Sequence, residues 1–271
     1  MTPMTDCRSL RWWTGLPSSV FASGDLKNHV AVLPLGAIEQ HGPHLPVGTD
    51  THIAEAMVAA VAERLPDDAP VVFLPTVPIS NSVEHTDSQG TLSLGRSLTL
   101  DVLLEISRSI HGAGLRKMVI INAHGGNVGV MTDAILAARQ ELAMLCVATN
   151  WMRLGLPDGL IEENARKLDV HGGRLETAIM LAAHPDLVAM TEAQPFKSLQ
   201  DELGECFELL RAYGPVGFGW MGSDLNEAGV VGDASAASAQ DGAAIIAHQA
   251  GQMIKLLDEV VRFHPPWFNH P

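Results

Sequence analysis

Residues 117–127 read KMVIINAHGGN, and this stretch does the most to decide the fold. Residues 117–122 are mainly apolar and β-branched without a polar face, which is typical of a strand buried on both sides of a sheet. His124 and two glycines then lead into residues 128–142, whose apolar spacing predicts a helix. A strand followed at once by a helix is the repeating unit of a parallel sheet.

The same alternation continues on both sides of this unit. Further buried strands are predicted at residues 29–35, 70–77 and 145–149. Further helices are predicted at residues 52–65, 98–111, 175–183 and, as one long helix or two, 234–261, whereas residues 1–28 look irregular. Alternating strands and helices predict an α/β fold, with a mainly parallel sheet that carries helices on both faces. We expect a single domain over residues 1–271, since 46% of the residues are hydrophobic and can fill one sizeable core.

The composition narrows the choice of partners and compartment. The formal net charge is -14, from 17 basic and 31 acidic residues, which argues against nucleic acid and anionic membranes as partners. The three cysteines, Cys7, Cys146 and Cys206, are far apart, so neither a disulfide framework nor a thiolate zinc site is predicted. Cys146 lies in an apolar run and is expected to be buried. The chain shows no signal peptide and no apolar run of about 20 residues, so a cytoplasmic location is predicted.

The segment GAIEQHGPHLPVGTD, at residues 36–50, follows the first predicted strand. Its potential metal ligands are Glu39, His41, His44 and Asp50. Glu39 and His41 are two residues apart and share a face in extended backbone, and Asp50 can return to them across the proline and glycine turns. The alternative is that Asp50 only caps the next helix and that the histidines are surface loop residues.

Two further segments carry histidines. His124 ends the strand at 117–122, and the glycines after it let backbone approach a bound group closely, although a tight turn with an incidental histidine is the alternative. In DVHGGRLET, residues 169–177, His171 and Glu176 bracket the start of a helix, where Glu176 can also be a carboxylate favoured by the helix dipole. Ligands bind beyond the carboxyl ends of parallel strands, so we expect these segments to meet the first one there.

Mixed histidine and carboxylate ligands indicate a metal-dependent hydrolase. Such ligands suit Zn²⁺, Mn²⁺ or Fe²⁺, and an aspartate can bridge two ions. Two ions about 3.5–4 Å apart can activate a water and polarise a carbonyl. Hydrolysis of an amide also needs a proton donor for the leaving nitrogen, and His171 fits that role.

Three motifs in this order, LGAIEQHGPHLPVGTD, NAHGGN and HGGRLET, resemble those of the creatininase (creatinine amidohydrolase) family over about residues 30–190. The resemblance implies a three-layer α/β/α fold, one or two divalent metals per chain, a homo-oligomer that is often a hexamer, and hydrolysis of a ring amide or formamide. It implies that Glu39, Asp50 and His124 hold one metal and that His41 and Asp50 hold a second. It also implies that His171 is the catalytic histidine, with Glu176 beside it. Zn²⁺ is the expected metal, with Mn²⁺ or Fe²⁺ as alternatives.

The sequence departs from creatininases proper at two positions. Gly126 stands where they carry a glutamate ligand, and Lys167 stands where a tryptophan lines their substrate pocket. The HGGN form looks instead like the wider family, which includes pyrimidine deformylases and peptide-trimming relatives. We therefore expect a small cyclic amide or a formamide as substrate rather than creatinine, and a second metal that is weak, absent or completed by Glu176. Lys167 can meet an anionic group on the substrate or be a surface charge.

His85 and Trp151 are further candidates for substrate contact, because each follows a predicted strand, although a core position is the usual one for tryptophan. A competing hypothesis is a metal-binding or assembly protein of the family without catalysis, which the full set of ligands disfavours. A dinucleotide-binding protein is excluded, since no GxGxxG follows the first strand.

Overall fold

The centre of the fold is a parallel four-stranded sheet in the order β2-β1-β3-β4. The computed structural model describes residues 11–269, so the position of Cys7 lies outside the described residues. The strands are β1 (Val30–Leu35), β2 (Val71–Phe73), β3 (Lys117–Asn122) and β4 (Leu145–Asn150). β3 pairs with β1 and β4 in continuous register along its whole length, and its bounds are those predicted from the sequence.

β2 is shorter than the predicted strand at 70–77. The ladder stops at Phe73 because Pro75 has no N–H to donate to a neighbouring strand. A single bridge between Leu35 and Val77 continues the pairing beyond it. The chain then leaves the sheet and turns into the segment that carries His85.

Helices cover both faces of the sheet. They are α1 (Ser18–Ser23), α2 (Thr49–Arg64), α3 (Gly95–Gly112), α4 (Val128–Leu142), α5 (Glu163–Leu168), α6 (Arg174–Ala183), α7 (Leu199–Cys206), α8 (Gly222–Leu225) and α9 (Ala239–Arg262). Alternate strand side chains point to opposite faces, so Val119 and Ile121 pack against α2, α6 and α9. Met118 and Ile120 pack against α3 and α4 on the other face. The predicted three-layer α/β/α fold is confirmed.

Some elements differ from the sequence predictions. The stretch at 1–28 contains α1, and α5, α7, α8 and a two-stranded sheet of β5 (Pro195–Phe196) and β6 (Gly232–Asp233) were not predicted. The stretch predicted as one helix or two, 234–261, holds a single long helix, α9. Ser238 sets its start, because its hydroxyl accepts a hydrogen bond from the Asp241 N–H at 3.1 Å. Within residues 11–269, no helix is both long enough and apolar enough to cross a bilayer.

α6 and α9 lie in backbone contact on one face of the sheet. Gly242 of α9 sits against the Ala178 carbonyl of α6, at a place where any side chain would clash with that carbonyl. Arg174 and Asp241 add an ion pair of 2.9 Å between the first turns of the two helices. α6 carries Glu176, so its position on α9 determines where that carboxylate lies.

Candidate metal centre

The predicted ligands converge beyond the carboxyl ends of β1 and β3. Glu39 and His41 follow β1, His124 follows β3, and Asp50 lies in the first turn of α2. All four are buried, with exposed fractions of 0–4%. Ionisable side chains are almost never buried this deeply unless they are paired or bind a metal. The convergence of four of them therefore indicates a binding site for a cation.

Two groups of three ligands share Asp50. The first trio is Glu39, Asp50 and His124, and the second trio is His41, Asp50 and Glu176. In the first trio, His124 Nδ1 lies 3.1 Å from Glu39 Oε1 and 3.4 Å from Asp50 Oδ2. In the second, His41 Nε2 lies 3.6 Å from Asp50 Oδ1 and 3.7 Å from Glu176 Oε2. Asp50 therefore turns one oxygen to each trio, as a bridging carboxylate would.

The donor atoms at the centre fit a cation. Among the described residues, Glu39 Oε1, His41 Nε2 and Asp50 Oδ2 are buried and make no hydrogen bond. An unsatisfied buried polar atom costs about 1–3 kcal/mol, so three of them facing one another need a compensating partner. A divalent metal bound between them would satisfy these atoms and neutralise the carboxylates.

The pKa values show how the metal-free protein balances this charge. Burial opposes ionisation of Glu39, but the positive charge of His124 beside it outweighs burial and holds the pKa of Glu39 well below its usual range. Burial likewise opposes the charging of His41, but the neighbouring carboxylates, Asp50 first, raise its pKa to about 9. Protons on His41 and His124 thus take the place of a metal's charge, and metal binding would release them.

Asparagines on either side of His124 fix the turn that carries it. Asn127 Nδ2 donates to Asn122 Oδ1 at 3.0 Å and to Ser80 Oγ at 2.9 Å. The Asn81 N–H donates to Asn127 Oδ1 at 3.1 Å. The NAHGGN motif therefore has a structural role in joining the turn after β3 to the segment after β2.

Ser82 lies in that segment and supports the first trio. Its hydroxyl donates to Glu39 Oε2, and both side chains are inaccessible to solvent. The hydrogen bond leaves Oε1 of Glu39 facing His124.

Glu176 is held by the turn that precedes α6. Its Oε2 accepts the Gly172 N–H at 2.7 Å, and Gly172 has a φ of +64°, a conformation that favours glycine. Asp169 accepts the first N–H groups of α6. His44 Nε2 lies 3.0 Å from Thr177 Oγ1, so His44 ties the first segment to α6 and stands behind the ligands.

His171 and His85 stack beside Glu39, with ring centroids 4.2 Å apart. The Gln40 carbonyl lies 2.8 Å from His171 Nε2, so this nitrogen carries the proton and Nδ1 faces Glu39 Oε1 at 3.5 Å. The Gln40 amide donates to the Gly229 carbonyl and to His85 Nδ1 at 3.0 Å, which leaves the proton of His85 on Nε2. Burial lowers the pKa of His171 well below its usual value, and the charge of His41 adds to this effect.

A cavity of about 350 Å³ opens onto these histidines. His85, His124 and His171 form its polar side, while Val170, Tyr213 and Trp220 form its apolar side. A cavity of about 420 Å³ at the opposite end of the sheet is lined by Lys27, Arg116 and Lys117 among others, far from the clustered ligands. We assign the smaller cavity to the site, because the candidate ligands border it.

Two predicted contact residues do not reach this cavity. Trp151 is 1% exposed and packs in the apolar core against α2, α6 and α9, because the chain turns inward after β4. Lys167 projects from the outer face of α5 and pairs with Glu163 at 2.9 Å, with 65% of its side chain exposed. In the structure neither residue lines this cavity, whereas His85 does.

Sequence reasoning missed four residues of the site. Glu84 and Gln40 each adjoin a histidine that was singled out, so their positions carried a usable signal. Tyr213 and Trp220 belong to a stretch without a regular pattern. Only long-range packing brings those two rings to the cavity.

Comparison of the chain with known proteins identifies related proteins. A family model described as creatininase, creatinine amidohydrolase, matches residues 17–257. The mycofactocin precursor peptide peptidase of Mycolicibacterium smegmatis is 31% identical over 238 residues, which are 87% of this chain and 86% of that protein. The creatinine amidohydrolase of Pseudomonas putida is 30% identical over 183 residues, which are 62% of this chain and 68% of that protein.

A solved structure of creatininase with Mn has the same fold. It superposes with a TM-score of 0.77 at 22% identity, covering 93% of this chain and 99% of that one. The relatives are hydrolases that act on carbon–nitrogen bonds. The family model spans most of the sequence, and the chain belongs to the creatininase family.

Proposed function

We propose that this protein is a metal-dependent amidohydrolase that cleaves a C–N bond of a small cyclic amide or a formamide. The observation that carries the proposal is the place of Asp50 between two trios, with unpaired buried donor atoms on both sides. Glu39, Asp50 and His124 would hold one divalent ion. His41, Asp50 and Glu176 would hold a second, so that Glu176 takes the place of the ligand that is missing at Gly126.

The donor set favours Zn²⁺, with Mn²⁺ and Fe²⁺ as alternatives, since imidazole and carboxylate suit all three. Bound there, such ions supply an activated water and a polarised carbonyl. The family relationship supports this chemistry, because the solved creatininase holds Mn.

His171 is the proposed proton carrier. Its Nε2–H is engaged by the Gln40 carbonyl, so the lone pair on Nδ1 faces the ligand cluster. Nδ1 can accept the proton that the attacking water loses and then deliver it to the leaving nitrogen. The low pKa of His171 favours this order, since the ring begins neutral.

The cavity favours a small substrate or one end of a longer one. A volume of about 350 Å³ is near the lower limit of small-molecule sites, and its apolar wall suits a ring or an apolar side chain. The second candidate is therefore cleavage near the end of a peptide, which the 31% identity to a precursor peptide peptidase supports. Creatinine is less favoured, because Gly126 and Lys167 stand where creatininases carry a glutamate ligand and a pocket tryptophan.

The test is a substrate screen with protein purified without chelator and loaded with Zn²⁺ or Mn²⁺. Creatinine, formylated aminopyrimidines and short peptides are incubated with the wild type, with His171→Ala and with His111→Ala, a control at an exposed histidine on α3. Release of amine is measured together with metal content. We expect His171→Ala to lower the rate about 10²–10⁴-fold at unchanged metal content, as loss of a general acid–base group does.

Retained activity in His171→Ala would refute this mechanism while leaving the fold untouched. Stable metal binding with no cleavage of any of the three substrate classes would favour the alternative of a metal-binding or assembly protein. Cleavage of peptides alone would select the second candidate.

A further inference from the structure

Glu84 lies on the outer side of the His124 ring. Its Oε1 is 3.4 Å from His124 Nε2, while His124 Nδ1, on the other side of the ring, faces Glu39 and Asp50. The side chain of Glu84 is 17% exposed and borders the cavity. The first trio thus contains a histidine with a carboxylate at each ring nitrogen.

Gly126 leaves the space in which this carboxylate lies. A Cβ built on Gly126 would clash with Glu84 Oε1 and with His124 Nε2. At the neighbouring Gly125, a Cβ would meet nothing within 4 Å. The need for glycine is therefore specific to residue 126, and the clash involves Glu84.

The segment that carries Glu84 is bonded to the turn that carries His124. Asn81 Nδ2 donates to the Gly126 carbonyl at 2.8 Å, and the Asn81 N–H donates to Asn127 Oδ1 at 3.1 Å. These bonds fix the distance between the two chain segments. The contact between Glu84 and His124 is therefore part of the folded framework.

We propose that Glu84 is the positioning residue of His124. His124 Nε2 makes no hydrogen bond within the part of the chain that the structure describes. With metal bound, the Glu84 carboxylate would accept the Nε2 proton of the neutral imidazole and leave the Nδ1 lone pair directed at the first trio, and Gly126 provides the room for that carboxylate. Carboxylates that support metal-bound histidines in this way fix the ring orientation and make the ligand more basic. The inference rests on the metal centre proposed above.

The test measures Zn²⁺ affinity by competition with a chromophoric chelator. We expect Glu84→Ala to weaken the tightest Zn²⁺ site about 10–100-fold, as loss of such a partner does. Glu84→Gln keeps the shape and a neutral acceptor, so it should recover most of the affinity. Glu63→Ala, which removes an exposed glutamate from α2, is the control for charge and should match the wild type.

The glycine pair gives a second measurement. Gly126→Ala should displace both Glu84 and the His124 ring and weaken Zn²⁺ binding, whereas Gly125→Ala should leave the affinity unchanged. In the Zn²⁺-loaded wild type, ¹⁵N NMR of the histidines should show His124 with its proton on Nε2. That proton should exchange faster with water in Glu84→Ala.

Zn²⁺ affinities of Glu84→Ala and Gly126→Ala within twofold of the wild type would overturn the inference. Glu39→Ala separates this result from failure of the proposed metal centre. If Glu39→Ala loses Zn²⁺ and Glu84→Ala does not, only the role of Glu84 is wrong. If neither variant changes Zn²⁺ binding, the metal centre itself is misplaced.

Discussion

The two trios share Asp50 but differ in how their other members are held. Glu39 and His124 follow central strands, and Ser82 and Glu84 support them from behind. In the second trio, Glu176 stands on α6 and is 17% exposed. Burial raises the pKa of Glu176 to about 7. The first trio is therefore preformed, whereas the second depends on the protonation of a carboxylate and on the position of one helix.

This difference bears on the number of metals. When ligands are already held in place, binding an ion loses little conformational entropy. The first trio should therefore bind an ion more tightly than the second. The departure at Gly126 fits this view, because the turn after β3 supplies His124 but no glutamate, and Glu176 comes from another element. We expect one firmly bound ion and one that exchanges.

The largest expected effect is that of Asp50→Ala, which removes the shared ligand. Both sites should lose affinity by more than about 100-fold, which exceeds the cost of losing a residue that only supports a ligand. Metal content per chain by plasma mass spectrometry measures this loss. Asp68→Ala, an exposed aspartate after α2, is the control. If Asp50→Ala retains one full equivalent of metal, then the trios do not share this residue.

Removal of one ligand from each trio should have a smaller and unequal effect. Glu39→Ala should release the firmly bound ion, while Glu176→Ala should release only the exchangeable one. Titration of the metal-free variants with Zn²⁺ in a calorimeter separates the two sites. Equal losses in the two variants would show that the trios are equivalent and would remove the distinction drawn here.

The smallest expected effect is a difference in pH dependence. Metal binding to the second trio must displace a proton from His41, whose pKa is raised to about 9, and below about pH 7 also one from Glu176. Binding to the first trio must displace only the proton of His124, whose pKa is raised well above its usual value, because Glu39 is already ionised in that range. Below pH 7, the second site should therefore lose about tenfold more affinity per pH unit than the first. Parallel pH profiles in the calorimeter would contradict this assignment.

Much of this architecture could be predicted from the chain alone. The buried run at 117–122 and the motifs after β1 and β3 predicted the sheet and the convergence of Glu39, His41, Asp50 and His124, because carboxyl ends of parallel strands share an edge. Their role as ligands stays a prediction. Glu176 was assigned less firmly, since a glutamate in the first turn of a helix also has a simple dipole explanation.

The rest depended on contacts between distant parts of the chain. Whether the ring of Trp151 points to the cavity or to the core depends on how the chain turns after β4, which no local pattern records. The place of Lys167 depends on the orientation of α5, a short helix that was not predicted. Tyr213 and Trp220 reach the site only through the packing of an irregular segment.

The backbone contact between α6 and α9 at Gly242 has a consequence for how the protein opens. Two helices that touch without intervening side chains cannot separate by small rearrangements, so they should unfold and exchange their amide hydrogens as one cooperative unit. The far end of α9 is bonded to β3, since Lys117 Nζ donates to the Val260 carbonyl at 2.9 Å. This contact lies at the end of the sheet opposite the candidate ligands. A helix of 24 residues spans about 36 Å, so this unit joins the amino end of β3 to Glu176 beside the metal centre. If either end of α9 unfolds locally, Glu176 should therefore lose its position before the ligands of the first trio do.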